Sequence, residues 1–394
     1  MIFTRLIIDN YYCFDNTELD LTIKREVKYS TIEHEFLDQC PSFRYKRVCI
    51  LSGANASGKT SLGNIMNNLQ HALCAGHFSA LSDHISDKSK VASLSIEFVT
   101  TSQKAPRIHL LKLIKEPKHT IPAFEYASVP IGKRDSSAKA RQKVESIFNN
   151  PPTTSTLTDK CSYLSSQHTS SVTLMEDFFQ SLRDDLNWGY LLSDTDSTSL
   201  SLIDDYAFLN KNILKAVLQT FDSSITEVTE SRDDTGVNGY SIKFMNKDSV
   251  LIDREGKAIN MNRLSKGTYD AIQVAGFVSW VIEQQHSKDS FSFFMDEKMA
   301  YSHSEIEQAI VNLIIQKLGR NSQFFYTTHN YDVLDMNLPI HSFVFLAKQQ
   351  DKAIFVHPEQ QFKKNDRSLL NYIKNNVFNT IPNTGLIDEL IDYE

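Results

Sequence analysis

A chain of 394 residues is long enough to bury a sizeable core, and 41% hydrophobic with 23% charged residues is ordinary globular composition, which argues against wholesale disorder. A net charge of −7 lacks the basic footprint of a dedicated nucleic-acid binder, and no apolar run approaches the ~18 residues that a membrane span needs. Five cysteines (Cys13, Cys40, Cys49, Cys74, Cys161) form no C-x-x-C pair and the opening residues lack a small-residue cleavage site, so a reducing cytoplasm is expected, without structural zinc or a disulfide framework.

Residues 1–24 predict two strands joined by a turn, since "FTRLIID" alternates, "DNTE" breaks and "LDLTI" alternates again. "KRVCILSG" is a short apolar strand running into glycine, and "TSLGNIMNNLQHAL" has helical spacing through Leu62, Ile65, Met66, Leu69 and Leu73. Strands follow at "ASLSIEFVT" and "RIHLLKLIK". From about Pro130 to Ser199 serine, threonine, asparagine and aspartate dominate, and "NNPPTTSTLT" is a clear breaker, which marks an insertion with short helices. "DDYAFLNKNILKAVLQTF" is an amphipathic helix, and "GYSIKFMNKDSVLIDREGKAINMN" a meander of strands. The last third alternates: a helix from Tyr269, the strand "FSFFMD", a helix from Ser304, then the strands "SQFFYTTH" and "HSFVFLA". That order predicts an α/β sheet interrupted by a large excursion. The division expected is 1–129, an N-terminal lobe; 130–239, a partly helical insertion; and 240–394, a C-terminal lobe.

"GANASGKTS" satisfies G-x-x-x-x-G-K-[ST] with Gly53, Gly58, Lys59 and Thr60, between a predicted strand and a predicted helix, the context that confirms a phosphate-binding loop. The glycines let backbone N–H groups curl around a β-phosphate while the helix turns its positive end toward the anion. Lys59 neutralises β/γ oxygens and the Thr60 hydroxyl can ligate Mg²⁺. Downstream, "FSFFMDEK" places Asp296 at the C-terminal edge of an apolar strand, where a P-loop enzyme holds its Mg²⁺ shell, with Glu297 next to it, able to orient and deprotonate a water. "SQFFYTTHN" places His329 at the end of another such strand. Each has a bland alternative: an acidic pair is a common solvated strand end, and a lone histidine is more often structural than catalytic. "MNRLSKGTYDAI" likewise reads as a helix capped by Ser265 or as a degenerate serine-glycine signature.

Taken together, the P-loop, "LSKGT", strand plus Asp-Glu and strand plus Thr-Thr-His resemble the ABC-type ATPase heads of the SMC, RecF and OLD-like families, over roughly residues 1–110 and 240–394. "GANASGKTS" is similar to their G-x-N-x-S-G-K-[ST] loop, including Asn55 and Ser57, with Ser61 following Thr60. "LIIDNYYCFDNTELDL" resembles their opening strand pair. The resemblance implies a P-loop ABC-type head with an N-terminal antiparallel β subdomain, ATP and Mg²⁺ as cofactors, and Lys59 and Thr60 on phosphate and metal. It further implies Asp296 in the metal shell, Glu297 as general base and His329 as γ-phosphate sensor. Ser265 and Gly267 would touch the γ-phosphate held by another subunit in a nucleotide-sandwiched homodimer or higher oligomer. "AYSHSE", with His303, sits where the family has a dimer-contact loop, and Gln103 is the best candidate for the glutamine loop.

Lys266 and Thr268 replace a small residue and a glutamine of the commoner signature, which suits the RecF/OLD-like branch better than transporters. The stretch after His329 is short for the Toprim nuclease of OLD-like proteins, so any nuclease output is expected in a partner. That pattern resembles the ATPase subunits of anti-phage systems such as PARIS, where an effector is held until a phage protein is sensed. A RecF-like repair ATPase on duplex DNA is the alternative, and the basic runs "RYKR" (Arg44 to Arg47) and "KRDSSAKARQK" (Lys133 to Lys143) are the candidate nucleic-acid contacts. "DREGK" (Asp253 to Lys257) has nuclease-like E-x-K spacing but reads as a hairpin turn. The pairs Asp184-Asp185, Asp204-Asp205 and Asp233-Asp234 read as solvated carboxylates.

Overall fold

The computed structural model describes residues 1–28, 30–76, 78–101, 105–119, 121–166, 178–193, 198–200, 209–234, 236–253, 259, 263–362, 369–381, 388 and 390. The first part of the chain forms β1 (Ile2–Asp9), β2 (Thr17–Asp20), β3 (Phe36–Leu37), β4 (Cys40–Arg44), β5 (Val48–Gly53), α1 (Lys59–Ala75), β6 (Ala92–Thr100), β7 (Arg107–Lys115) and β8 (Ala123–Pro130). The middle forms α2 (Ser137–Asn149), β9 (Thr156–Leu157), β10 (Ser162–Ser165), β11 (Asn187–Leu191), β12 (Thr198–Leu200), α3 (Lys211–Phe221), β13 (Ile225–Asp233), β14 (Gly236–Phe244) and β15 (Ser249–Asp253). The last part forms α4 (Lys266–Glu283), β16 (Phe291–Asp296), α5 (Ser304–Lys317), β17 (Gln323–Thr328), β18 (Phe343–Gln349), β19 (Lys352–Val356), α6 (Pro358–Gln361) and α7 (Leu369–Lys374).

Two seven-stranded sheets dominate. The core sheet runs β12-β11-β16-β17-β5-β18-β19, with β11, β16, β17, β5 and β18 parallel and an antiparallel strand at each edge. Its central strands are apolar at successive positions because both faces are covered. Ile50, Phe293, Tyr326 and Phe345 enter a core shared with α4 and α5, while Leu51, Phe294, Phe325 and Leu346 enter the opposite core, filled by Leu62, Ile65, Met66 and Leu69 of α1. The second sheet, β2-β1-β6-β7-β8-β10-β9, is antiparallel throughout and closes that same core from the other side through Phe3, Leu6, Ile96 and Leu111. The architecture is the expected one: a mixed α/β sheet with flanking helices and an N-terminal antiparallel β unit.

The 130–239 segment, expected as a partly helical insertion, interlocks with both sheets. α2 covers the outer face of β7 and β8, β10 pairs with β8, β11 pairs in parallel with β16 from Asn187–Phe291 to Leu191–Met295, and α3 packs on α4. No composition signal predicts that a short strand inside a serine-rich stretch pairs with one a hundred residues on; only the shared core brings them together. Gln103, Asp204-Asp205 and residues 254–257 of "DREGK" lie outside the described residues. No helix among those described is long and apolar enough to cross a membrane.

Lys46 and Arg47 of the first basic run are taken up inside the fold, whereas in the second run Arg141 is partly buried and Lys133, Arg134, Lys139 and Lys143 are exposed. Buried Lys46 donates to Glu359 at 2.6 Å and faces His357 Nδ1 at 3.2 Å. Arg47 donates to the carbonyls of Leu318 and Gly319 at the C-terminal end of α5, the end where a cation is favoured. Arg141 bridges Glu97 (2.9 Å) and Asp20 (3.3 Å), and Lys139 and Lys143 both face Asp135. Burial opposes the Glu359 carboxylate, but His357 and Lys46 outweigh it and lower its pKa from 4.5 to about 2. A depressed carboxylate contributes stability that is whole above its unfolded value and lost as pH falls toward the folded one. Glu359→Gln is therefore expected to lower the urea midpoint at neutral pH, with the gap to wild type narrowing steadily below pH about 4.5; a gap independent of pH would contradict this.

Candidate nucleotide site

The C-terminal edges of β5, β16 and β17 carry the sequence-predicted groups, because parallel pairing in register aligns those edges. Gly53 ends β5, where a Cβ would come within 2.4 Å of the Leu346 carbonyl oxygen, so the close approach of β18 requires glycine. Gly58 caps α1 at φ 104°, a left-handed conformation, and a Cβ there would meet Cys13 Sγ at 2.7 Å. The turn after β1 thus buttresses the loop. Asn55 is exposed, Thr60 and Ser61 are partly buried, and the Ser57 hydroxyl is buried with no hydrogen-bond partner among the described residues. An orphaned hydroxyl inside a loop whose following helix begins with unpaired N–H groups fits an anion.

Lys59 is buried, and its ammonium donates to the carbonyls of Gly53 (2.8 Å) and Ala54 (3.1 Å) and lies 3.1 Å from Glu297 Oε1. Asp296 is fully buried and accepts hydrogen bonds from Thr60 (2.7 Å), Ser193 (2.5 Å) and Thr327 (2.5 Å). The three hydroxyls meet the cost of burying the carboxylate. Glu297 leaves β16 at φ 48°, pinned by its N–H donating to Thr327 Oγ1 (3.1 Å), and this sharp exit turns its carboxylate back toward Lys59. His329 Nδ1 lies 3.8 Å from Glu297 Oε2 with its ring half exposed. A cleft of about 490 Å³ opens beside Glu297 and His329.

Ser265 and Gly267 make no hydrogen bond to this cluster among the described residues. Ser265 caps α4, its Oγ accepting from Thr268 N (3.1 Å), and a Cβ on Gly267 would meet the Tyr301 carbonyl oxygen at 3.2 Å. The Lys266 ammonium sits 4.4 Å from the centre of the exposed Tyr301 ring. The start of α4 thus rests on the loop that follows Glu297. Two residues of the cluster escape the sequence reading. Thr327 lies within the quoted "YTTH" but its tie to Asp296 is across strands. Ser193 follows β11, and "NWGYLLS" does have the same grammar as "FSFFMD", an apolar strand with an oxygen-bearing side chain at or just past its end.

No protein-family model matches the chain, and no curated protein matches it. Among solved structures it is similar to the Smc head domain with an extended coiled coil bound to the C-terminal domain of ScpA, from Pyrococcus furiosus, at 11% identity and a TM-score of 0.47, over 95% of this chain and 99% of that one. It is also similar to an Smc head bound to the C-winged helix domain of ScpA (12%, TM-score 0.46, 92% and 100% covered) and to the recombination mediator RecF with ATP (9%, TM-score 0.38, 90% and 99% covered). Scores this low add nothing to what the chain's own strand order and loop establish. A core sheet of five parallel strands with the G-x-x-x-x-G-K-[ST] loop after β5, an acidic pair at the end of β16 and an antiparallel sheet over α1 is the mixed α/β arrangement that the sequence resemblance to ABC-type heads implies.

Proposed function

We propose that the chain is an ATP-binding and ATP-hydrolysing switch of ABC type. The observation that carries this reading is the convergence of Lys59, Thr60, Asp296, Glu297 and His329 at one sheet edge, from segments more than two hundred residues apart in sequence. Lys59 would hold the β/γ oxygens with the loop N–H groups of residues 58–61. Thr60, Asp296 and Ser193 form an all-oxygen set suited to Mg²⁺, a hard cation that prefers one or two carboxylates and phosphate oxygens. Mg²⁺ held there would neutralise and orient the phosphates. Glu297 would take the proton of an attacking water, with His329 beside it on the γ-phosphate.

On this reading 1–129 and 240–394 are the two lobes of one head and 130–239 joins them. A second copy would offer Ser265 and Gly267 to the nucleotide, so that ATP builds a homodimer or higher oligomer and hydrolysis dissolves it. The output would be control of a separate cytoplasmic effector, such as a nuclease in anti-phage defence, released when a phage protein is sensed. A RecF-like role on duplex DNA is the alternative; Lys46, Arg47 and Arg141 are engaged in internal contacts, which leaves the exposed Lys133, Arg134, Lys139 and Lys143 as the basic residues a duplex could meet.

Ligand linkage tests the core of the proposal. ATP with Mg²⁺ at about a hundredfold its Kd is expected to stabilise the fold by about 2.7 kcal/mol, read as a rise in melting temperature. Chelating the metal should remove most of that rise, and AMP should produce none. A melting temperature indifferent to ATP and Mg²⁺ sinks the proposal.

A further inference from the structure

Glu307 lies in the first turn of α5, just beyond the loop that follows Glu297, and its side chain is buried. A buried carboxylate is costly unless hydrogen-bonded. This one accepts three hydrogen bonds, from the Tyr326 hydroxyl (2.5 Å), the Thr328 hydroxyl (2.7 Å) and the Asn330 amide (2.7 Å). The donors sit at alternate positions, 326, 328 and 330, while Thr327 between them turns its hydroxyl to Asp296. They therefore bracket His329 on both sides.

Further bonds extend the attachment. Asn330 N–H donates to the Thr328 hydroxyl (2.9 Å), Ser304 donates to the Asp332 carboxylate (2.7 Å), and the Gln308 amide donates to the Asp332 carbonyl (2.8 Å). The turn that carries His329 is thus strapped to the start of α5. Burial, reinforced by the Glu307 carboxylate, holds the Tyr326 hydroxyl protonated well above its ordinary range, so it stays a donor to Glu307. Glu307 makes no hydrogen bond or ion pair with Lys59, Asp296 or Glu297 among the described residues; its reach toward the reaction passes through His329.

We propose that Glu307 is the positioning residue for His329: it fixes residues 328–330 so that the imidazole faces Glu297, and it couples that aim to the loop between Glu297 and α5. This rests on the proposed ATPase reading. Glu307→Ala should lower kcat about tenfold or more while the Kd for MgATP changes by less than about twofold. Glu307→Gln keeps an acceptor oxygen for Tyr326 and Thr328 and should restore kcat to within about threefold of wild type. In a His329→Ala background, Glu307→Ala should cost less than about twofold more, because both changes remove the same aim. Additive losses, or MgATP affinity falling in step with kcat, overturn the inference; should the alanine variant not fold, Glu307→Asp, one methylene short, takes its place with the same expectation.

Hydrogen exchange gives a readout independent of turnover. Amides of 326–332 should exchange faster in the variant while those of 48–62 are unchanged; unaltered or uniformly faster exchange counts against the strap. If the wild-type chain turns over no ATP the proposed function fails, and exchange alone then decides whether Glu307 positions this turn.

Discussion

Glu297→Gln is expected to leave MgATP binding intact and to slow hydrolysis at least about a hundredfold, since a positioned general base contributes roughly 10²–10⁴ in rate. The substitution is nearly isosteric. The backbone at 297, held at φ 48° by Thr327, has no reason to move, and the Asp296 hydroxyl cluster is untouched. What is lost is the carboxylate 3.1 Å from Lys59 and 3.8 Å from His329. With the base gone and the phosphate-binding groups in place, ATP should accumulate on the protein, and any assembly that ATP drives should persist. Single-turnover hydrolysis and light scattering after ATP addition measure the two halves of this expectation. Turnover within about threefold of wild type would remove Glu297 from the chemistry and point to another base.

The second large effect is expected at Ser265. Its Oγ accepts the Thr268 N–H at the start of α4, so replacement by arginine forfeits an N-cap worth about 1 kcal/mol and places a bulky cation where a partner's nucleotide would approach. Ser265 makes no hydrogen bond to the P-loop among the described residues, so the loop keeps every contact given above. Ser265→Arg should therefore bind MgATP within about twofold of wild type yet show no ATP-dependent increase in mass by analytical ultracentrifugation. Ser265→Ala separates the two losses, since it removes the cap without the cation. Retained assembly in the arginine variant would place the partner contact elsewhere and leave Ser265 as a cap alone.

The local grammar of the chain was readable because each unit completes itself within a few residues. A strand running into "GANASGKTS" and a helix needs no distant partner to be recognised, and "FSFFMDE" and "FFYTTH" announce buried strands by being apolar on both faces. Ser265 was readable as a cap for the same reason. The two basic runs show where such reading stops. "RYKR" and "KRDSSAKARQK" look like solvated or nucleic-acid-binding charge, and nothing local reveals that Lys46 meets Glu359, or that Arg141 lies between Glu97 and Asp20.

By itself the sequence determined the glycine-rich loop between strand and helix, the acidic pair, the histidine strand and the α/β class, since glycine placement, apolar periodicity and capping act over one or two turns of chain. The tertiary structure alone decided that β11, from the serine-rich middle, lies beside β16 and delivers Ser193 to Asp296. It alone decided that Glu307 reaches across to the residues flanking His329. Those contacts join positions brought together by the shared cores on either side of one parallel sheet, and parallel pairing leaves no short-range mark because its partners are separated by whole helices and strands.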